Sequence, residues 1–419
     1  MRTMLNRLEL LVLVCLFCSS SSWAEDWTRF RGKNGQGVSD AQKIPSQWSD
    51  ADLHWKTKLP GMGHSSPVQL GKTIFVQSAD PESATRYVIA IDSDTGKIKW
   101  EKKFASTTHR FHRLNSYNSS TPAVDSKRVY VTWSNKAQIT LKAFHHDGQE
   151  IWSKDLGSWV GQHGYAASPI VYRDKVILVN SQQKNQLNPG EKPGQSRVMA
   201  FDGKTGQTVW TSDRVTTRVS YSVPCIYQNE KGDDELVCCN TAEGVYSLNP
   251  QNGKRNWYYQ GAFDKRTVSS PVFAGGLILG SCGSGGGGNF VVAIRPGSQP
   301  SMQYKVDRNA NYVPTPVAYQ NRLYLVSDKG IASCVDSGNG KVLWQERLSG
   351  EYWASPIRIQ KRIYVINAKG VVTVFAAADK FQLLGKSELG EKCHSTPAVA
   401  DGKLVLRTVS HLMSVGGER

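Results

Sequence analysis

The sequence predicts an all-β fold: an eight-bladed β-propeller of four-stranded antiparallel blades, closed by an N-terminal strand. Three observations predict it. A small-residue-then-Pro motif recurs eight times at intervals of 40 to 55 residues, which suits a four-stranded blade. Short runs rich in branched and aromatic residues follow each copy, as expected of strands between tight turns. A strand–turn–strand frame ending in Trp then completes most of the repeats.

The proline motif marks where each repeat begins. A short β-type run, a polar turn and a second β-type run follow each proline, as in "GKTIFV" (71–76) and "RLYLV" (322–326). The eight prolines are Pro67, Pro122, Pro169, Pro224, Pro271, Pro316, Pro356 and Pro397.

The closing frame is clearest in "AIDSDTGKIKW" (90–100) and "AFDGKTGQTVW" (200–210). Its Asp can bond nearby backbone N–H groups, and its Gly supplies the positive φ that the hairpin needs. The Trp should lie on the fourth strand and cover the seam between blades, contributing about 2–3 kcal/mol. Tyr304 and Leu384 take its place in two repeats, where we expect weaker seams. The predicted docking residues are Trp100, Trp152, Trp210, Trp257 and Trp344.

The eighth repeat lacks an outer strand, because the chain ends soon after "HLMSV" (411–415). Near the start of the chain, "LHWKTKL" (53–59) is similar to "VLWQERL" (342–348). We therefore expect residues 53–59 to complete the last blade, with Trp55 as its docking residue. Residues 48–419 then form the propeller, and residues 25–47 are an N-terminal extension.

Residues 1–24 are typical of a secretory signal peptide, with Arg2 and Arg7 before an apolar core and small residues before Ala24. A short membrane anchor is the alternative. No later apolar run approaches the roughly 20 residues of a membrane-spanning helix. We expect an exported monomer, periplasmic or extracellular.

The charge of the chain bounds its partners. The formal net charge of +16 becomes +15 without residues 1–24. This excess favours polyanions or an anionic surface, and a solvated basic surface is the plainer explanation. No run of five basic residues marks a nucleic-acid arm, so no nucleic-acid partner is expected.

The six cysteines beyond residue 24 define no disulfide framework, and their pairing stays open. They have no CxxC spacing, so zinc is not expected. They are Cys225, Cys238, Cys239, Cys282, Cys334 and Cys393.

These motifs resemble the repeat of PQQ-like (quinoprotein-type) propellers over most of residues 48–419. The block "DWTRFRGKNGQGVS" (26–39) resembles an exported branch found in planctomycete-type bacteria. The resemblance implies two functional classes. Some members are dehydrogenases that hold pyrroloquinoline quinone (PQQ) and calcium. Others, such as the lipoprotein that helps assemble outer-membrane β-barrels, are scaffolds without the cofactor.

For a dehydrogenase, the resemblance implies a Trp floor, a vicinal disulfide lid, Glu, Asn and Asp calcium ligands and a catalytic Asp. Cys238 and Cys239 would be that lid; alternatively they are strand residues facing opposite sides. The insertions that carry the acidic ligands have no recognisable counterpart. The Gly-rich run "GSCGSGGGGNF" (280–290) lacks a following Lys-Ser/Thr and a helix, which favours a hairpin loop over a phosphate site. We expect no catalytic residue, cofactor or metal, with PQQ and calcium as the alternative.

Length variation falls in the second-to-third turns and in the links between blades, which share one face of a propeller. Function tends to lie on such loops. Aromatic and cationic residues lie near the point where each link enters the central channel, and they suit a carboxylate, phosphate or sulfate. Packing of the channel wall is the alternative. The candidate binding residues are His64, Arg110, His112, Arg113, Tyr117, His163, Tyr165, Arg218, Tyr221, Arg266, Tyr312, Tyr352, Trp353 and His394.

The sequence thus favours a non-catalytic binding or scaffold protein that acts through its loop-decorated face. Its partner would be a protein, a glycan or a small anion. A PQQ-dependent oxidoreductase with a reduced site and a polyanion- or glycan-binding protein of the cell envelope are the alternatives.

Overall fold

The computed structural model describes residues 25–417, which form eight antiparallel sheets around a central channel. The predicted all-β, eight-bladed fold is confirmed. Two short 3₁₀ helices, Lys33–Gly35 and Asp50–Asp52, precede the blades. Within residues 25–417, no helix is long and apolar enough to cross a bilayer. The predicted signal peptide lies outside the described residues.

Blades 1 to 4 each run from an inner to an outer strand in chain order. Their middle strands are covered on both faces by neighbouring blades, so they are buried along most of their length and carry mainly apolar residues at their centres. The strands are, in blade 1, Val68–Leu70, Thr73–Ala79, Arg86–Asp92 and Ile98–Phe104; in blade 2, Ala123–Val124, Arg128–Ser134, Ile139–His145 and Glu150–Asp155; in blade 3, Ile170–Tyr172, Lys175–Asn180, Ser196–Asp202 and Thr208–Arg214; in blade 4, Cys225–Gln228, Asp234–Asn240, Gly244–Leu248 and Arg255–Tyr259.

Blades 5 to 7 repeat this order, and blade 8 takes its outer strand from the N-terminal part of the chain. The strands are, in blade 5, Val272–Ala274, Leu277–Cys282, Phe290–Arg295 and Ser301–Val306; in blade 6, Val317–Tyr319, Arg322–Val326, Ile331–Asp336 and Val342–Arg347; in blade 7, Ile357–Ile359, Arg362–Ile366, Val371–Ala376 and Leu383–Glu388; in blade 8, Ala398–Ala400, Lys403–Arg407, His411–Val415 and Leu53–Lys58.

The ring is closed between the two ends of the chain. Leu53–Lys58 pairs antiparallel with His411–Val415, and Trp55 lies opposite Ser414. Leu59 follows the strand and donates its backbone N–H to Ser410 at 2.8 Å. This pairing covers the sheet edge that the third strand of blade 8 would otherwise expose.

Outer-strand aromatic residues seal the seams between blades. Each ring covers the turn of the next blade. Its indole N–H, or the O–H of Tyr304, donates a hydrogen bond to a backbone carbonyl of that turn. A Cβ on Gly206 would lie 2.7 Å from the Trp152 ring, so the absence of a side chain is needed as well as the positive φ. The bonds are Trp55–Ser93 (3.0 Å), Trp100–His146 (2.7 Å), Trp152–Gly203 (3.0 Å), Trp210–Pro250 (3.2 Å), Tyr304–Ser337 (2.7 Å) and Trp344–Ala378 (2.9 Å).

Two seams differ from this scheme. The Trp257 indole donates to Glu235 of its own blade at 2.6 Å, because blade 5 lacks the Asp-Gly turn frame. The seam beside Leu384 is covered instead by residues 44–48 of the N-terminal part of the chain. The Trp48 backbone N–H donates to Ser387 Oγ at 2.8 Å, and Ile44 and Trp48 are buried in the core shared by blades 7 and 8.

Residues 27–39 of the N-terminal extension close the channel at the face of the short hairpin turns, and we call them the plug. Trp27 bridges Gln69 in blade 1, with both backbone hydrogen bonds at 2.9 Å. Asn34 exchanges two hydrogen bonds with Ile226 in blade 4. Val38–Ser39 pairs in parallel with the inner strand of blade 7.

Two buried arginines hold the plug in place. Arg31 is 0% exposed and donates to the carbonyls of Pro316 and Pro356, both at 2.7 Å. Arg29 donates to the carbonyl of Pro224 at 2.6 Å. Within the blades the inner strand is a sheet edge, so its channel-facing carbonyls need donors from outside the blade, and the plug supplies several of them.

Candidate functional site

The plugged channel is a cup of about 470 Å³ that opens on the face carrying the links and the second-to-third loops. Phe30 of the plug lines it from below. Links and loops of this face bond to each other: Gly283 donates to the carbonyl of Arg266 at 3.0 Å, and Tyr221 donates to that of Thr267 at 3.0 Å. These bonds fix the backbone that carries the cup side chains.

The waist of the cup is a ring of hydroxyl groups at the positions directly before the eight prolines. Seven of the eight backbone N–H groups at these positions donate to the hydroxyl of the equivalent residue in the next blade. Val223 has no hydroxyl, so the ring is interrupted between blades 3 and 4. The bonds run from Ser66 to Thr121 (3.2 Å), Thr121 to Ser168 (2.9 Å), Val223 to Ser270 (3.1 Å), Ser270 to Thr315 (3.0 Å), Thr315 to Ser355 (3.0 Å), Ser355 to Thr396 (3.0 Å) and Thr396 to Ser66 (3.0 Å).

One side of the cup wall is cationic. Arg218 and Arg266 come from the links before blades 4 and 5, and His112 and His163 from those before blades 2 and 3. Arg266 Nη1 lies 3.2 Å from His163 Nε2, and the two histidine rings stack with centroids 4.9 Å apart. Arg218 donates to the side-chain carbonyl of Gln186.

The other side of the wall is neutral and aromatic. Tyr312, Trp353 and His394 come from the links before blades 6, 7 and 8, and His64 from the link before blade 1. The His64 and His394 rings lie 4.4 Å apart, and the Trp353 ring lies 6.4 Å from His394. The cup therefore has two chemically distinct halves.

The histidines of the cup are poor bases. Burial lowers the pKa of His163 to about 4, with the positive charges of Arg266, His112 and Arg218 adding to the effect. Burial lowers the pKa of His64 to about 3, with His394 and Arg407 adding to the effect. Both rings are neutral at pH 7, so the two arginines supply the fixed charge.

The structure places nine of the fourteen candidate binding residues in the lining of the cup. A binding role for them stays a prediction. The nine are His64, His112, His163, Arg218, Tyr221, Arg266, Tyr312, Trp353 and His394.

The other five candidates lie outside the lining. Arg110 and Arg113 are exposed on the link before blade 2. The Tyr117 ring packs edge-on against Phe111, with centroids 4.7 Å apart. Tyr165 is buried with its hydroxyl 3.0 Å from Thr132 Oγ1, and Tyr352 is buried in the core between blades 6 and 7.

Sequence reasoning missed several lining residues, among them Phe30, Asn115, Gln162 and Ser284. A signal for Phe30 was present: it stands between two arginines, Arg29 and Arg31, in a segment without strand alternation. The hydroxyl ring was also readable from the Ser or Thr before seven of the prolines. In the sequence alone that pattern marks the repeat, and the structure adds that these hydroxyls accept the backbone hydrogen bonds of the ring.

The residues present do not fit a calcium-bound quinone. Along residues 25–417, no Asp or Glu lines the cup, and no group of three or more His, Cys, Asp and Glu side chains is placed to hold a metal ion. Cys238 and Cys239 lie in the second strand of blade 4, where both are unpaired and buried. They face opposite sides, Cys238 toward the core with blade 3 and Cys239 toward that with blade 5.

Comparison with known sequences identifies one family. A family profile described as "Outer membrane protein assembly factor BamB" matches residues 41–117, 87–346 and 307–410. A protein of that name from Nitrosomonas eutropha is 27% identical over 186 residues, which are 40% of this chain and 43% of that protein. The alignments with curated relatives span 43%, 42% and 58% of the relatives' own lengths.

Solved structures share the fold. BamB from Moraxella catarrhalis superposes with a TM-score of 0.60 at 14% identity, over 87% of this chain and 98% of that one. A quinohaemoprotein alcohol dehydrogenase from Pseudomonas putida reaches 0.64 at 12% identity, over 94% of this chain and 81% of that one. At such identities the likeness shows the fold alone.

Proposed function

We propose that this chain, which belongs to the outer membrane protein assembly factor BamB family of propellers, is a non-catalytic binding protein that takes its ligand into the cup. One observation carries the proposal: a cavity closed on one face holds arginines and no carboxylate in its described lining. Its volume of about 470 Å³ falls within the range of small-molecule sites.

The cup is built for binding rather than chemistry. Seven of the eight pre-proline positions carry hydroxyls that accept backbone hydrogen bonds in the ring, so they are held in structural roles. Two histidines of the lining, His64 and His163, have pKa values too low for a general base near neutral pH. No Asp or Glu stands in the described lining, so the cup offers no carboxylate ligand for the calcium of a PQQ-dependent oxidoreductase.

The place of action belongs to the same proposal. Residues 1–24 favour export, so the protein would act in the periplasm or outside the cell. The exposed links around the mouth of the cup support a scaffold role with a protein or a glycan as partner. The BamB relatives are named as assembly factors, which supports this class of function.

A ligand panel on a blocked cup tests the proposal. Ala166 lines the cup, so Ala166→Trp fills it, whereas Ser158→Trp adds the same ring on an exposed part of the same link. We expect some members of a panel of small carboxylates, phosphates, sulfates, sugars and peptides to raise the Tm of the wild type and Ser158→Trp. Ala166→Trp should lose those shifts. No shift with any member, or equal shifts in Ala166→Trp, would contradict binding in the cup.

A second arm tests the absence of catalysis. Purified protein is mixed with PQQ and calcium, and the absorption spectrum and dye-linked alcohol and sugar oxidation are recorded. We expect no stoichiometric cofactor spectrum and no turnover. A stoichiometric spectrum with turnover would replace the binding proposal by an oxidoreductase.

A further inference from the structure

Arg266 carries a buried charge that no described side chain neutralises. It is 5% exposed, its Nε has no hydrogen-bond partner, and Nη1 bonds to the neutral His163 ring. No ion pair joins it to another residue in the described part of the chain. Burying a guanidinium without a counter-ion is costly, so an anion beside it would recover favourable energy.

Arg218 lies close to the same point. It lines the cup from the neighbouring link. Besides burial, the positive charges of both arginines contribute to the lowered pKa of His163. Its side chain bonds to the neutral Gln186 amide, and no described carboxylate lies within ion-pair distance. Both arginines line the cup, and a planar guanidinium fork matches a planar carboxylate in bidentate geometry.

The opposite wall offers an aromatic surface. Trp353 is half-buried in the lining, and its indole Nε1 has no hydrogen-bond partner among the described residues. Tyr312 lies between the aromatic and the cationic sides of the cup. It is part of the lining, where burial raises the pKa of its hydroxyl and the charge of nearby Arg266 acts to lower it. A ring on the ligand could pack against these side chains and Phe30 below.

The closed floor limits the shape of the ligand. Phe30 and the plug block the far end of the channel, so a polymer cannot thread through it. The ligand must fit within the cup or insert one end into it.

We infer that the cup holds a small aromatic or alicyclic carboxylate, with its carboxylate between Arg266 and Arg218 and its ring against Trp353. This inference rests on the proposed function and names its ligand class. It differs from that proposal in requiring both a charge and a ring.

Isothermal titration with four simple probes tests the inference: benzoate, its neutral analogue benzamide, acetate, which lacks the ring, and phenyl phosphate. We expect benzoate to bind at least about tenfold more tightly than benzamide, since one lost charged hydrogen bond is worth about that factor. Benzoate should also bind more tightly than acetate, which lacks the ring that packs on Trp353, and more tightly than phenyl phosphate, whose anionic group is tetrahedral rather than planar. Phenyl phosphate binding as tightly as benzoate would overturn the choice of a carboxylate.

Variants locate the two halves of the site. Arg266→Gln should weaken benzoate at least about tenfold, because it removes the charged donor, and it should fold because it also removes a buried unpaired charge. Arg113→Gln, an exposed arginine outside the cup, is the matched control and should leave binding unchanged. Trp353→Leu should weaken benzoate but not acetate.

The outcomes separate the two proposals. Unchanged benzoate affinity in Arg266→Gln would overturn the carboxylate site. Failure of benzoate, while other panel members still distinguish Ala166→Trp from Ser158→Trp, would overturn the ligand class and leave the binding function intact. If no member of the panel binds, that result would contradict the proposed function itself.

Discussion

Val223 is the one residue that interrupts the hydroxyl ring at the waist of the cup. Seven equivalent positions carry Ser or Thr, and each of those hydroxyls accepts a backbone N–H from the preceding blade. The Val223 side chain cannot accept the N–H of Ser168. Its own N–H still donates to Ser270 at 3.1 Å, so the backbone there already has the ring geometry.

Val223→Thr should therefore complete the ring. Thr has the shape of Val, and three ring positions are already Thr, so the new hydroxyl should accept the Ser168 N–H. We expect the free energy of unfolding to rise by about 0.5–1.5 kcal/mol, the net value of one buried hydrogen bond. Thr315→Val is the reverse substitution and should lower it by a similar amount. Urea unfolding measures both, and a loss of stability in Val223→Thr would contradict the role assigned to the ring.

Single residues of the cup were predictable where the repeat fixed their position. Arg218, Arg266 and Trp353 could be assigned to the channel because each lies a few residues before a motif proline. Tyr165 and Tyr352 lie at similar positions, but their side chains turn into the seams, where burial of a ring is favourable. The spacing determines where the backbone enters the channel, and packing with the next blade decides which way each side chain points.

The plug is the element that makes the channel a cup. Arg31 lies in it with no exposed surface, and burial lowers its pKa to about 9. No described acidic side chain pairs with it. Backbone carbonyls from the plug and from blades 6 and 7 accept all its hydrogen bonds. One side chain therefore ties the N-terminal extension to two inner strands.

Arg31→Ala should detach this element. The carbonyls of Pro316 and Pro356 would lose their donors, which should cost about 3 kcal/mol or more of the free energy of unfolding. Lys33→Ala, an exposed cation two residues away, is the control and should change it by less than about 0.5 kcal/mol. Urea unfolding gives the stability, and amide exchange over residues 27–39 reports detachment. Equal, small effects of both substitutions would show that Arg31 does not hold the plug.

The secondary-structure elements could be predicted from the sequence wherever the repeat recurs. The strands and their turn frames recur, so blade number and the pairing of Leu53–Lys58 with the last repeat could be predicted. The extension has no period. The side chains of the plug donate to blade carbonyls that lie 192 residues or more along the chain, as in Arg29 to Pro224 with a separation of 195. The same limit applies to residues 44–48, which cover the seam where Leu384 replaces Trp.

At the scale of the whole molecule, the stability of the propeller depends on pH through titratable side chains that are buried in it. In the unfolded chain a histidine has a pKa near 6.5. His64 is lowered to about 3 by burial, then by His394 and Arg407. Asp328 has the opposite sign, because burial raises its pKa to about 6. Its contribution to stability is present at low pH and is lost as the pH rises through about 6.

His64 should make the propeller sensitive to acid. Below pH 6.5 the unfolded chain binds a proton at this position and the folded protein does not, so stability falls as the pH is lowered toward 3. The groups facing His64 are His394 and Arg407, neither of which can stabilise an imidazolium. The loss should be on the order of 3–5 kcal/mol when complete.

His64→Gln removes the titration, whereas His145→Gln, on the exposed end of a strand in blade 2, is the control. Asp328 is common to all three proteins, so differences between their unfolding free energies at pH 7, 5.5 and 4.5 isolate His64. His64→Gln should retain stability at pH 4.5 that the wild type and the control lose; parallel curves for all three would mean that His64 is not the acid-sensitive group.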